Sequence, residues 1–475
     1  MSETFDVTVV GSGPNGLAAA VTSARAGLRV RLLEAAATIG GGVRTAELTL
    51  PGFRHDVCSA VHPAALASPF FREFGLPDRV NWVIPDVSYA HPLDGGRAAL
   101  AWRDLDRTAD QLGRDGGAWK RMFEPLLRRL DGVVDFTGSQ LLRWPDDPIA
   151  AFQYGARSLG LGSRLLWNTR LKTEEARALF SGVAAHAAGQ TPSLSSSGAG
   201  LLLATHAHAG GWGFPIGGSQ AIADVLLQDF LTHGGVVETG QTIRTLRELP
   251  ASKVTLLDTS VKLLLTGNLP AGYARALRRY RYGSGVAKVD FALAGPVPWA
   301  NPDVAHAPTV HLGGTRDEIA AAENLVHRGG VPERPYVLVT QPSVLDPTRA
   351  PKGRHVLWAY THVPAGSSLD ATELITAQVE RYAPGFRDLV LATASSSARQ
   401  QAAYNRSNVG GDIYGGAVSL WQLVKRPVVS TKPWRTPLKG IYLCSAATPP
   451  GPAVHGMNGW FAARLALKEH FGIEV

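Results

Sequence analysis

Apolar residues run almost without a break through Phe5–Val10 (FDVTVV), as expected for a strand buried on both faces of a parallel sheet. They then spread over the Ala-rich stretch LAAAVTSARAG, which predicts a helix stopped by Gly27. From Arg29 to Leu33 they condense again into a second strand that ends at Glu34. This succession is a βαβ unit.

From about residue 66 to 204 the pattern is different, with helical stretches such as ADQLGRDGGAWKRMFEPLLRRL and SRLLWNTRLKTEEARALFSGVAA set between prolines and glycines. The βαβ pattern resumes at Gly217-Gly218-Ser219, which leads the helix QAIADVLLQDFLTHG, a strand near Val236 and the run Val254–Asp258. Strand-like runs follow at Val286–Leu293, Tyr336–Thr340 and His355–Thr361. The chain closes on a strand (Ile441–Cys444), a Gly/Pro turn and a helix. The expected fold class is α/β. A Rossmann-type dinucleotide domain is assembled from the separated segments 1–65, 205–285 and 430–475. An inserted α+β substrate domain, with a mixed sheet and helices, takes 66–204 and 286–429.

The loop between the first strand and helix carries Gly11-x-Gly13-x-x-Gly16, with Glu34 closing the second strand. The first glycine allows the tight turn, the second lets a pyrophosphate approach the backbone, and the third lets helix and strand pack closely. Amide groups at the helix start, around Pro14 and Asn15, would face the phosphates. Glu34, next to Ala35, would accept from ribose hydroxyls. A second glycine run, Gly40-Gly41-Gly42, continues into Val43 and Arg44, where backbone can pass close to a long cofactor and a guanidinium can meet phosphate charge. Near the C-terminus, Ser445-Ala446 follow the last strand, and Val454-His455-Gly456-Met457 open the last helix. That helix start would stabilise negative charge on a reduced cofactor ring, with His455 either tuning the site or packing as a hydrogen-bonding group.

Composition narrows the partners. With 475 residues, 45% of them hydrophobic, the chain can bury two cores. Lys plus Arg exceed Asp plus Glu by 47 to 39, but no basic run resembles a nucleic-acid arm, so nucleic acid is not expected as a partner. Cys58 and Cys444 alone make neither a disulfide framework nor a cysteine metal site, which fits a reducing compartment. No signal-peptide pattern precedes the first strand and no apolar run reaches bilayer length, so the expected location is cytoplasmic. His206 and His208 lack carboxylate or cysteine companions and read as a domain-junction loop, so no metal is expected. The basic–apolar stretch Arg157–Lys172 reads as an amphipathic helix covering the substrate domain; the alternative is a peripheral contact with a membrane.

Five stretches together resemble the phytoene-desaturase-like branch of the FAD-dependent amine-oxidase and carotenoid-desaturase superfamily. They are VVGSGPNGLAAA, LEAAATIGGGVRTAELTLPGFRHDVCSAVHP, GGSQAIADVL, VGGDIYGGA and LCSAATPPGPAVHGMNGWFAA. Bacterial NAD(P)/FAD-dependent oxidoreductases and mammalian pyridine-nucleotide-disulfide-oxidoreductase-domain proteins are the members most similar in these stretches. The resemblance implies FAD, held non-covalently, with Gly11, Gly13, Gly16, Glu34, Gly42 and Arg44 on its ADP half. It also puts Ile243 against the adenine and Val454, Gly456 and Met457 under the flavin ring. The chain departs from the pattern at Ser445-Ala446, where an acid or second glycine is usual near the ribityl chain, and at Pro452-Ala453, where glycines are usual.

The implied activity is hydride transfer from an apolar isoprenoid or polyene-like substrate to flavin N5, chemistry supplied largely by the cofactor. Amine oxidation, double-bond isomerisation and a non-catalytic flavoprotein role remain alternatives. Tyr404, Asp412 and Tyr414 are the candidates at the reacting end. No second GxGxxG opens a helix after a strand, so oxygen or a quinone is the expected electron acceptor. The sequence leaves the oligomeric state open.

Overall fold

The computed structural model describes residues 5–167 and 169–475. Its first sheet has five strands in the order Ile441–Leu443, Ser252–Leu257, Phe5–Val10, Val30–Leu33, Val236–Glu238, all parallel. Phe5–Val10 lies at the centre, with Val7 between Val254 and Val30. Three helices, Pro14–Arg25, Gln220–Thr232 and Met457–Phe471, supply Leu17, Val21, Ile222, Phe230, Ala462 and Ala466 to one core with Val7, Val9 and Leu32. The first and last helices touch backbone to backbone: a Cβ on Gly459 would fall 1.8 Å from the carbonyl oxygen of Asn15. Only glycine permits that approach.

The second sheet has seven strands in the order Val390–Ser396, Gly285–Leu293, His355–Val363, Val337–Thr340, Thr309–Leu312, Val87–Leu93, Arg97–Trp102. Neighbours are antiparallel except for Thr309–Leu312 beside Val87–Leu93, so the sheet is mixed as expected. Phe291 and Leu293 pack there against Ile375, Val379 and Phe386. A helical layer from Gly116–Leu127, Pro148–Gly162, Glu174–Ala184 and Leu194–His208 covers other strands, with Trp119, Phe123, Leu179 and Leu201 buried against Tyr89 and Ala101.

Several local expectations shift. The hairpin Val87–Leu93/Arg97–Trp102 falls where helices were expected, because buried Ser88, His91 and Pro92 break the apolar alternation. The amphipathic helix expected over 157–172 is instead the C-terminal part of Pro148–Gly162, ended at Ser163 and followed by turns; Asn168 lies outside the described residues. This helix starts at Pro148 because Asp147 accepts from the amides of Ile149 and Ala150, both at 3.0 Å. Phe70, Phe71 and Phe74, beyond the expected boundary at 65, join the core of the parallel sheet. Leu194–His208 runs unbroken through the one expected at 204/205.

A buried ion cluster ties the segments together. Arg349, fully buried, donates from Nη2 to Asp56 and from Nε to Asp346, each at 3.0 Å. Asp56, in the short hairpin Thr45–Glu47/Arg54–Asp56, also accepts from the amide of Ser219 at 2.8 Å, and Asp346 accepts from that of Gly217 at 2.8 Å. Both contacts secure the turn that leads the helix Gln220–Thr232.

Candidate active site

The carboxyl ends of the parallel strands, where ligands bind in open α/β sheets, open into a cavity of about 1390 Å³. Gly11, Ser12, Gly13, Pro14 and Asn15 form its floor at one end. Gly16 does not line it. A Cβ there would lie 1.9 Å from the carbonyl oxygen of Gly11, so this glycine serves the packing of loop on helix. The two glycine loops interlock: the Gly40 amide donates to the Ser12 carbonyl at 3.1 Å, and a Cβ on Gly41 would reach the Gly13 Cα at 2.8 Å.

Glu34 and Arg44 are both buried beside this floor. One Glu34 oxygen accepts from the amide and hydroxyl of Ser12 (3.0 and 2.5 Å), the other from the Ala36 amide (2.8 Å) and Arg44 Nη2 (3.2 Å). A carboxylate has about four acceptor sites, so a ribose hydroxyl would have to replace one of these donors. The Ser12 hydroxyl, which can rotate, is the one free to yield. Arg44 also donates to the Thr38 carbonyl at 2.6 Å and to the Tyr404 hydroxyl at 2.9 Å. Tyr404 therefore sits half exposed beside the Glu34–Arg44 pair, and not at the apolar end where a reacting-end residue was expected. Ala35 and Gly42 line the cavity, whereas Val43 is fully buried in the core and does not. Ile243 lines it on a segment joined to Glu34 through the Gln241 amide, 2.8 Å from the Glu34 carbonyl.

Asp258 was not singled out from the sequence. It follows the strand Ser252–Leu257 and accepts from the Gly16 amide at 3.0 Å; a Cβ on Gly13 would meet its carboxyl at 2.8 Å. Burial pushes this carboxyl up to about 7; the Gly16 amide opposes the rise and the charge of Glu34 adds to it. The signal in the sequence was the acid closing VTLLD at the binding edge of a parallel strand.

At the C-terminal turn, Ser445, Ala446, Val454, His455 and Met457 line the cavity; Gly456 does not, and a Cβ there would lie 2.6 Å from the Phe70 ring. His455 Nδ1 accepts from the Met457 amide at 3.1 Å, which leaves the proton on Nε2, buried and without a partner among the described residues. Burial lowers its pKa to about 4, so the ring is neutral. Asn15 Oδ1 is likewise buried and unpartnered. Orphaned polar atoms at the rim of a glycine-floored groove suit a polar, extended ligand with its phosphates at a helix start, and the residues present fit a dinucleotide.

Away from the glycine loops the cavity is largely apolar, with Val134, Phe136, Leu202, Leu203, Leu338 and Leu423 on its walls together with Trp358, Tyr360 and Tyr414. Among the described lining residues the only carboxylates are Glu34 and Asp258, both beside the glycine loops. Tyr414 is fixed near the C-terminal turn because buried Arg426 donates both to its carbonyl and to that of Ala446. Asp412, expected at the reacting end, is fully buried outside the lining and accepts from the amides of Gly283 and Tyr414, each at 2.7 Å. It shapes the loop. His208 is a hydrogen-bonded core histidine, 2.8 Å from the Trp102 carbonyl and 2.9 Å from the Trp119 indole nitrogen, while His206 lines the cavity.

Residues 9–74 match the model of the NAD(P)-binding Rossmann-like domain. The mouse pyridine nucleotide-disulfide oxidoreductase domain-containing protein 2 is 26% identical over 98% of this chain and 94% of its own length. Among solved structures, an oxidoreductase from Methanosarcina mazei superposes with a TM-score of 0.60, at 15% identity over 97% of this chain and 99% of that one. Cyclohexylamine oxidase from Brevibacterium oxydans IH-35A does so with a TM-score of 0.59, at 16% identity over 98% and 99%. The chain therefore shares the fold of these two proteins, with a Rossmann-type parallel sheet and a separate mixed sheet.

Proposed function

We propose that the protein is an FAD-dependent dehydrogenase or desaturase that takes hydrogen from an apolar, polyene-like substrate. The observation that carries this reading is the shape of the cavity: one continuous space joins a glycine-floored polar groove to an apolar chamber. Its volume of about 1390 Å³ exceeds the roughly 300–1,000 Å³ of a single small-ligand pocket, leaving room for a dinucleotide and a second molecule. Bound non-covalently, the flavin would supply a hydride acceptor. Gly11, Gly13, Glu34, Arg44 and Ile243 would hold its ADP half, and Ser445, Ala446, Val454, His455 and Met457 would lie along the ring half. The neutral His455 offers its Nε2 proton there as a hydrogen bond. The apolar walls would orient the substrate and exclude water. Oxygen or a quinone is the proposed final acceptor.

The lack of carboxylates at the apolar end favours a hydrocarbon over an amine, since an ammonium buried there would have no counter-charge among the described residues. The visible spectrum of the purified protein, followed anaerobically while polyenes, alcohols and amines are added, tests the reading. A yellow protein bleached by a partly saturated polyene is the expected result. Bleaching by amines alone would reassign the substrate class, and a colourless protein that takes up no FAD would overturn the proposal.

We also propose that the substrate arrives from a lipid surface. Helix Pro148–Gly162 turns an apolar stripe outward: Ile149 and Phe152 are exposed at 51% and 75%, Ala156 lies between, and Leu159 is 61% exposed while also lining the cavity. Leu165, at 89%, continues the stripe between the exposed Arg164 and Arg170. Apolar residues flanked by arginines suit an anionic interface. Sedimentation with vesicles containing about 30% anionic lipid should carry the wild type down and leave F152E/L165E in solution, at a free-energy loss of about 1.5–3 kcal/mol per buried side chain withdrawn. Equal sedimentation of both would remove this face from consideration.

A further inference from the structure

Behind the apolar end lies a buried polar chain that the cofactor groove does not use. Glu323, on the helix Arg316–His327, is 3% exposed, and its two oxygens lie 3.0 and 2.9 Å from Nδ1 of His362 on the strand His355–Val363. Nε2 of His362 lies 3.4 Å from the hydroxyl of Tyr414, which lies 3.4 Å from that of Tyr360. Both tyrosines line the cavity; Glu323 and His362 stand behind them.

With Glu323 ionised and His362 neutral, the donors and acceptors permit one ordering. An ionised carboxylate only accepts, so His362 carries its proton on Nδ1 and presents a lone pair on Nε2. Tyr414 then donates to His362, and its oxygen accepts from Tyr360. Every bond points from the cavity towards Glu323. Burial pushes both phenols upward, so they stay neutral and can pass a proton without holding charge. Charge can rest only on the imidazole, beside its carboxylate.

We propose that Tyr360, Tyr414, His362 and Glu323 form a relay that accepts the proton released when the substrate is dehydrogenated. This rests on the dehydrogenase reading above. Removing two hydrogens from adjacent carbons breaks two C–H bonds. One hydrogen leaves with its electron pair, as a hydride to the flavin; the other leaves as a proton, and its pair becomes the new C=C bond. That proton joins the Tyr360 oxygen as the Tyr360 proton moves to Tyr414 and the Tyr414 proton to His362 Nε2. Tyr360 is the catalytic residue of the four, and the others act through it. Most of these contacts would equally fasten the helix to the sheet, so the test must read proton movement.

The experiment is anaerobic stopped-flow reduction of the holoprotein by a partly saturated polyene hydrocarbon in detergent micelles, from pH 5 to 9, for the wild type, Y360F, Y414F and E323Q. The groups facing His362 are Glu323, Tyr336 stacked at 5.7 Å, Tyr360, Tyr414 and, by charge, His186, which burial holds neutral with a pKa of about 3. Y360F and Y414F are expected to slow reduction by roughly 10²–10⁴-fold across this range, while the substrate concentration giving half-maximal rate stays unchanged. If E323Q fails to fold, the two phenol variants, each lacking one oxygen, still decide. Nitrogen-15 spectra of histidine-labelled protein, with H362Q for assignment, provide a readout independent of turnover: the proton is expected on Nδ1. Rates within threefold of wild type, or a proton on Nε2, would overturn the relay alone. A flavin that no polyene bleaches removes the dehydrogenase reading and the relay's role with it.

Discussion

Replacing Arg349 by methionine is expected to destabilise the protein by about 3–5 kcal/mol, the usual cost of removing one partner from a buried charge cluster. The side chain is fully buried between Asp56 and Asp346. Methionine fills much of its volume but strands two carboxylates. The sign of the pH response identifies the cause. Burial alone would raise the Asp56 pKa, but Arg349, the Ser219 amide and the Thr45 hydroxyl outweigh it and hold the carboxyl below its ordinary value. A depressed pKa contributes stability above the unfolded-state value that is lost as the pH falls through the folded one. In R349M that stabilisation goes, Asp56 is left without its cation, and the variant should recover part of its deficit as the pH is lowered from 8 to 5. Urea midpoints at both pH values check this. A deficit independent of pH would mean that lost packing, not stranded charge, is responsible. The triple variant D56N/R349M/D346N should restore most of the loss at pH 8, because no charge is then left unpaired.

The second large effect is at Asp258, whose carboxyl stands at about 7 against an ordinary 3.8. A raised pKa gives stability that is fully present below the unfolded-state value and disappears as the pH rises through about 7. At pH 8 the wild type holds a half-buried negative charge beside the 11–16 loop, which Asp258→Asn removes while keeping an oxygen for the Gly16 amide. The variant without cofactor should be more stable than the wild type at pH 8 by a few kcal/mol, at about 1.4 kcal/mol per pKa unit. Cofactor binding should follow the same titration. A like charge nearby disfavours an anionic ligand, so the wild-type Kd for FAD is expected to rise at least about tenfold between pH 5.5 and 8.5, and that of D258N to stay level. Fluorescence quenching of added FAD measures both. A wild-type Kd that does not change across this range would show that Asp258 keeps away from the cofactor's charge.

What the sequence disclosed about the site was mostly local backbone chemistry. Gly11, Gly13 and Gly16 announce their loop because the need for glycine is set by neighbours a few residues away, and the strand before it and acid after it complete the pattern. Residues with long-range partners stayed hidden. The partner of Asp258 is 242 positions earlier, and Glu323 meets His362 across 39 positions from a helix to a strand, with no motif to mark either pair. Val43 was read as a cofactor contact because it adjoins a glycine run, and Gly456 because the family resemblance put it under the flavin ring. Yet an apolar side chain in such a run goes to the core, and a glycine can serve packing as well as a ligand. Asp412 misled for a similar reason, as an acid in a glycine-rich loop can serve two backbone amides and face no cavity. The two sheets were legible as separate entities because one reads as short apolar runs between helices and the other as longer strands without them. The hairpin at 87–102 was not, since a strand buried on every residue can accommodate histidine, serine and proline.

The central place of Phe5–Val10 in the parallel sheet has a consequence for how the chain leaves the ribosome. One neighbour, Val30–Leu33, follows at once, but the other, Ser252–Leu257, is about half a chain away. At 5–20 residues per second, a nascent chain would expose one edge of this central strand for roughly 12–50 s before that partner emerges. During this interval the N-terminal βαβ unit has an open hydrogen-bonding edge, the kind of surface that recruits wrong partners. Cellular yield would then depend on what shields that edge during synthesis as much as on the stability of the finished fold.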